Sequence, residues 1–151
     1  MSKDSLDCYI VPGVPLPLLL PIECIAEVIA KPEIEALGGT PANWMKGYVN
    51  WNNQRLPVLS FSALHDSSLD ESKKRKPRLV VLNPIPEAVR KAYTGILCYG
   101  EVEQVSVDPS MVFAESPDDV DRRYIEAVIK IGKKDYIVPK LSALSVAFSY
   151  F

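Results

Sequence analysis

The 151-residue chain has one histidine, three cysteines, seven glycines and no long apolar run. Each shortage removes a class of protein. His65 is followed by Asp66, but catalysis needs an orienting acid and a nucleophile held together in space, which adjacency in sequence does not supply. It reads as an exposed loop histidine. Cys8, Cys24 and Cys98 are far apart, with neither metal-ligand spacing nor a CxxC. That fits a reducing, cytoplasmic compartment. Cys24 and Cys98 lie in apolar segments and read as small buried hydrophobes. HExxH, GxSxG and P-loop patterns are absent, and Gly38-Gly39 has no following lysine to make a phosphate loop. The expectation is a protein with no catalytic residues, metal or cofactor.

The longest apolar run, residues 14–22, is broken by Pro15, Pro17 and Pro21 and is far short of the roughly 20 residues of a membrane span. The first seven residues are polar and acidic, unlike a signal peptide. Direct membrane insertion is therefore not expected. The net charge of −2, from 17 basic and 19 acidic residues, offers no field for nucleic acid or anionic lipid. The basic run Lys73-Lys74-Arg75-Lys76 lies in the polar stretch 66–76 and reads as a solubilising loop. Asp118, Asp119 and Asp121 beside Arg122-Arg123 lack further metal ligands and read as a charged loop.

Proline, by contrast, is abundant: 13 of 151 residues. It costs a hydrogen bond inside a helix or a central strand. The longest proline-free stretch is residues 87–108. This excludes long-helix bundles and favours many short strands. The length suits one domain, or two small halves sharing a core.

Residues 8–11 and 14–22, split by Pro12-Gly13, read as strand, turn, strand, with the prolines marking an edge strand. The 22–30 segment fits either a short helix or a bent strand. The clearest signal is 44–61, a hairpin turning at Asn52-Asn53, since asparagine tolerates positive φ. That register pairs Trp51 with Gln54, Val49 with Leu56 and Gly47 with Val58. It puts Met45, Gly47, Val49, Trp51, Leu56 and Val58 on the core face. Trp44, Lys46, Tyr48, Asn50 and Arg55 share the other face, where Trp44 reads as an interface anchor or as an edge cover. Further strands are expected at 79–82, 93–99 and 101–107, with one helical turn in 84–92 and a loop at 108–119. A second hairpin, 124–131 with 136–138, turns at 132–135, and a helix occupies 141–148.

The halves repeat. Ile25-Ala26-Glu27-Val28 echoes Val102-Glu103-Gln104-Val105, each precedes a hairpin, and Pro57-Val58-Leu59-Ser60-Phe61-Ser62-Ala63-Leu64 echoes Pro139-Lys140-Leu141-Ser142-Ala143-Leu144. This predicts two β subdomains of one design, the first about 14–66 and the second about 77–140, completed by the terminal segments.

The order of these phrases resembles the CheW family of chemotaxis coupling proteins, over nearly the whole chain. Ile25-Ala26-Glu27-Val28 looks like the family's V-x-E-V/I phrase. Thr40-Pro41 with Trp44-Met45-Lys46-Gly47-Tyr48-Val49-Asn50 and then Leu56-Pro57-Val58-Leu59 look like its hairpin phrases, and Gly95-Ile96-Leu97 with Val102, Val105 and Val107 like its later strand pair. The resemblance implies a mainly β fold of two SH3-like five-stranded β-barrels with a short C-terminal helix. It implies a non-catalytic adaptor between the chemoreceptor cytoplasmic tip and the regulatory domain of the histidine kinase CheA, with the receptor surface between the barrels and the kinase contact on the first. Partner-binding positions carried over are Ile25, Glu27, Val28, Ile34, Trp44, Gly47, Asn50 and Asn52. The family hairpin usually reads N-x-R-G, whereas here Asn52 and Asn53 stand for the arginine and the glycine. A neutral amide cannot keep a charge-assisted contact. The departure resembles auxiliary, ChpC-like members of chemosensory systems that control type IV pili. Two other readings compete: an enzyme using Cys24, Cys98 or His65, and a degenerate coupling protein that acts as a competitor or binds a different partner.

Overall fold

The computed structural model describes residues 5–66, 75–86, 88, 91–115 and 122–151. The described chain folds into strands β1 (Leu6–Val11), β2 (Leu18–Pro21), β3 (Ile25–Ala30), β4 (Met45–Trp51) and β5 (Gln54–Leu59), then helix α1 (Phe61–His65). It continues with β6 (Pro77–Leu82), β7 (Thr94–Tyr99), β8 (Glu103–Val107), β9 (Val112–Glu115), β10 (Ile125–Ile131), β11 (Lys134–Pro139) and helix α2 (Leu141–Phe148). One sheet has the order β3-β6-β7-β5-β4, the other β8-β1-β2-β11-β10-β9.

The two sheets share one design. Each contains an antiparallel hairpin (β6-β7 or β1-β2), flanked on one side by a lone strand (β3 or β8) and on the other by a second hairpin (β5-β4 or β11-β10). In both, a parallel pairing joins the hairpins: Val58 with Gly95 in the first, Leu18 with Ile137 in the second. The second carries β9 outside this five-strand plan. The architecture is mainly β, two SH3-like barrels with a short C-terminal helix.

The barrels divide the chain differently from the expected 14–66 and 77–140. The first is the continuous segment 25–99, and the second takes β1 and β2 from one side of it and β8 to β11 from the other. The first barrel is thus nested inside the second. Local patterning pairs strands with their neighbours in sequence, and the parallel pairings that decide membership leave no local mark.

Nesting explains the continuous apolar runs. In β6, Leu79 and Val81 point into the first barrel, while Val80 and Leu82 join a core shared with both helices and the other sheet. In β2, Leu19 points into the second barrel, and Leu18 and Leu20 join the shared core. A strand buried on both faces loses its polar alternation. Each fully buried leucine or valine contributes roughly 1.5–3 kcal/mol relative to exposure.

The first hairpin has the expected register, Trp51 with Gln54, Val49 with Leu56 and Gly47 with Val58. Asn52 (φ 47°) and Asn53 (φ 62°) both take left-handed backbone. A bulge between Met45 and Gly47 sets Met45 opposite Leu59. In the 22–30 segment a 3₁₀ turn, Ile22–Cys24, leads into a strand with a bulge between Ile25 and Glu27.

Other expectations need correction. β2 is interior, not an edge: Pro15 and Pro17 precede it and Pro21 ends it, so its inner N–H groups stay free to pair. The second turn is only Gly132-Lys133, with Ile131 opposite Lys134. The 108–119 loop contains β9, which pairs along β10; residues 116–119 lie outside the described residues. His65 is half-buried, closing α1 with its ring stacked 6.5 Å from that of Phe61. Helix α1 is signalled by Ser60, whose Oγ accepts from Ala63 N–H at 3.3 Å in the manner of an N-cap. Most of the 66–76 stretch also lies outside the described residues.

Candidate functional site

Strands β3 and β4 are the two edges of the first sheet, yet a side-chain bond joins them. The indole Nε1–H of Trp51, at the end of β4, donates to Glu27 Oε2 on β3 at 3.0 Å. The Trp51 ring packs on Tyr93 at 4.9 Å, leaving the Glu27 carboxylate exposed but oriented. Tryptophan suits such a seam, since its ring wants burial and its N–H wants a partner. The sequence reads Trp51 as core; it is half-buried, and its bond to Glu27 is the feature that reading misses.

A second clasp lies further along β4. Glu35 makes an isolated bridge with Tyr48, donating N–H to the Tyr48 carbonyl at 2.8 Å and accepting from Tyr48 N–H at 2.9 Å. Gly47 allows that approach: it is buried with φ +136°, and a Cβ there would lie 2.1 Å from the Glu35 carbonyl oxygen. Ile34 lies over it, its Cγ2 3.1 Å from the same point. Arg55 pairs with Glu35 at 3.3 Å and stacks over the Tyr48 ring at 4.1 Å. The pair is exposed, so its value is orientation more than stability.

Of the eight positions carried over, Glu27, Ile34, Gly47, Asn50 and Asn52 lie along this seam and its hairpin. Asn50 and Asn52 are exposed, Ile34 is half-buried and Gly47 is buried. Val28 is half-buried against the shared core. Ile25 is 9% exposed and belongs to that core, because the bulge turns Ile25 and Val28 to the same side. Trp44 lies apart, its ring 5.9 Å from that of Phe151.

The other candidates gather no reactive constellation. No cluster of His, Cys, Asp and Glu suited to a metal occurs among the described residues, and Asp118, Asp119 and Asp121 lie outside them. Cys98 is fully buried, its Sγ–H directed to the Arg78 carbonyl at 3.6 Å. Cys24 is half-buried, not buried as expected, because the 3₁₀ turn carries it to the surface side of β3. Burial pushes the Cys8 thiol up, helped by Glu23, Asp7 and Cys24. Thiolate is the reactive form. Native alkylation at pH 8 is therefore expected to spare Cys8 and Cys98, at rates about 100-fold below the unfolded chain, while Cys24 reacts readily. Fast native labelling of Cys8 or Cys98, followed by mass spectrometry, is the result that contradicts this. No described helix is long and apolar enough to cross a membrane.

Two nested SH3-like barrels, with an oriented carboxylate on an exposed seam, define a two-barrel β domain. The chain belongs to the CheW family: the CheW-like domain matches residues 16–147. Among solved structures, the scaffolding protein TtCheW from Thermoanaerobacter tengcongensis is similar in fold, with a TM-score of 0.69 over 89% of this chain and 88% of that one, at 18% identity. A comparison with curated proteins finds no match.

Proposed function

We propose that this CheW-like protein is a non-catalytic cytoplasmic adaptor that couples chemoreceptors, the methyl-accepting chemotaxis proteins, to a CheA-type histidine kinase within a chemosensory array. The observation that carries this is the family match over 16–147, together with Glu27 held outward by Trp51 at the position resembling the family's partner-binding glutamate. Glu27, Ile34, Asn50 and Asn52 form the partner surface in this proposal, and Val28 borders it. The chemosensory output we favour is a type IV pilus system, on the resemblance to auxiliary, ChpC-like members.

The test is co-elution of the purified protein with a receptor signalling tip and with a kinase regulatory domain, each at tens of micromolar, since transient signalling contacts are often weak. Association with neither overturns the proposal.

One observation favours a second reading, a coupling protein that competes instead of activating. Asn52 sits at the exposed tip of the hairpin, where the family's arginine makes a charge-assisted contact. Asn52→Arg is expected to tighten receptor binding by about tenfold, the equivalent of one charge-assisted hydrogen bond. Unchanged or weaker binding by calorimetry means the tip serves another partner. Kinase activation in a reconstituted receptor–CheA assay containing the wild-type protein excludes pure competition.

A further inference from the structure

A cavity of about 720 Å³ opens between β5, Ile85, Ala88, residues 92–94 and α2, and it borders the second clasp through Tyr48 and Arg55. None of the eight partner-binding positions lines it. Its volume falls in the range of small-molecule sites, roughly 300–1,000 Å³. Four aromatic rings from separate parts of the chain contribute to the wall: Tyr48, Tyr93, Phe148 and Phe151. Ile85 adds aliphatic surface, and Gln54, Arg55, Thr94, Ser142, Ser145 and Ser149 add polar groups.

Thr94, the first residue of β7, is the second observation. It lines this cavity, is 7% exposed, and its Oγ1 has no hydrogen-bond partner among the described residues. Buried hydroxyls are nearly always paired, and a valine of the same shape would fill this place opposite Leu82 without leaving an unpaired group. The Oγ1 is itself buried as placed, and a turn of about 120° around the Cα–Cβ bond carries the hydroxyl to the place the methyl holds, which presents the donor to an occupant of the cavity.

We infer that this cavity binds a small aromatic molecule bearing one hydrogen-bonding group, with Thr94 Oγ1 as the polar anchor and the ring held among the aromatic walls. Aromatic rings favour offset or edge-on contact with other rings, which a wall of this composition offers. The cavity shares Tyr48, Arg55 and Tyr93 with the surroundings of the seam, but none of the proposed partner-binding positions lines it, so failure to bind the probes leaves the coupling proposal standing.

The test uses p-cresol and toluene, which differ by one hydroxyl, titrated into the full-length protein and followed by amide chemical shifts. p-Cresol is expected to bind about tenfold tighter than toluene. Thr94→Val is expected to abolish that preference while leaving toluene binding unchanged. Ser145→Trp, on the accessible lining of α2, is expected to fill the cavity and block both probes. The inference is overturned if neither probe binds saturably to the wild type, if the preference for p-cresol persists in Thr94→Val, or if Ser145→Trp binds both probes as well as the wild type.

Discussion

Replacing Gly47 by alanine is expected to destabilise the protein by about 3 kcal/mol, the combined effect of a strained backbone and broken bonds. The residue sits at φ +136°, where an L side chain is strained whatever the space. There is also no space. The new Cβ would lie 2.1 Å from the Glu35 carbonyl oxygen and 2.9 Å from its carbon, backbone atoms that cannot rotate away. Relief requires the Glu35–Tyr48 bridge to open, losing two backbone hydrogen bonds and releasing Ile34 from its place over β4. For a chain of this size the melting temperature should fall by roughly 6–12 °C. Gly132→Ala is the control: its φ is +63°, but nothing lies within 4 Å of the added carbon. It should cost only about 1–2 kcal/mol. A Gly47→Ala protein that melts within roughly 2 °C of the wild type contradicts the role assigned to this close approach. Because the opened bridge frees the loop bearing Ile34, the same variant is expected to weaken partner association at temperatures where it remains folded.

The second large effect concerns the shared core. Leu82 is 1% exposed and packs in the cluster that also holds Val11, Leu18 and Leu20 of the second barrel and Leu144 of α2. Leu82→Ala should cost about 2–5 kcal/mol, the transfer of the lost methyls plus the cavity they leave. The distribution of the effect is the sharper test. If the nested barrels depend on one core, calorimetry shows a single transition moved down as a whole. Hydrogen exchange then accelerates in β1 and β2 as well as in β6 and β7. Leu79→Ala empties a site inside the first barrel instead. It should disturb β4, β5 and β7 more than β1 or β2. Faster exchange confined to the first barrel in Leu82→Ala would show that the barrels are energetically separate, against the packing described above.

Much of the fold was legible locally. The Asn52-Asn53 turn and its flanking alternation specified the register of the β4–β5 hairpin from the turn as far as Gly47 and Val58, because two positive-φ residues and a period of two admit few alternatives, while the bulge beyond Gly47 left no such mark. The bounds of α2, Leu141–Phe148, also agree with the sequence pattern. Helix α1 escaped notice because five residues show little periodicity, although Ser60 stood at its start as a cap. At the proposed site, Glu27 and Gly47 were singled out by family resemblance alone. The Trp51 bond to Glu27 was not legible, because it links opposite edges of a sheet that only closure brings together.

The sequence by itself determined that this is a mainly β, proline-punctuated protein built from a repeated unit, since those properties follow from local backbone limits and short-range patterning. Only the tertiary structure decided which strands make which barrel, why Ile25 turns inward, and how Trp51 aims Glu27. Those outcomes depend on parallel pairings such as Leu18 with Ile137 and on bulges that shift a strand's facing by one residue. Pairing partners distant along the chain are chosen by the burial of both strand faces at once, and no local segment carries that information.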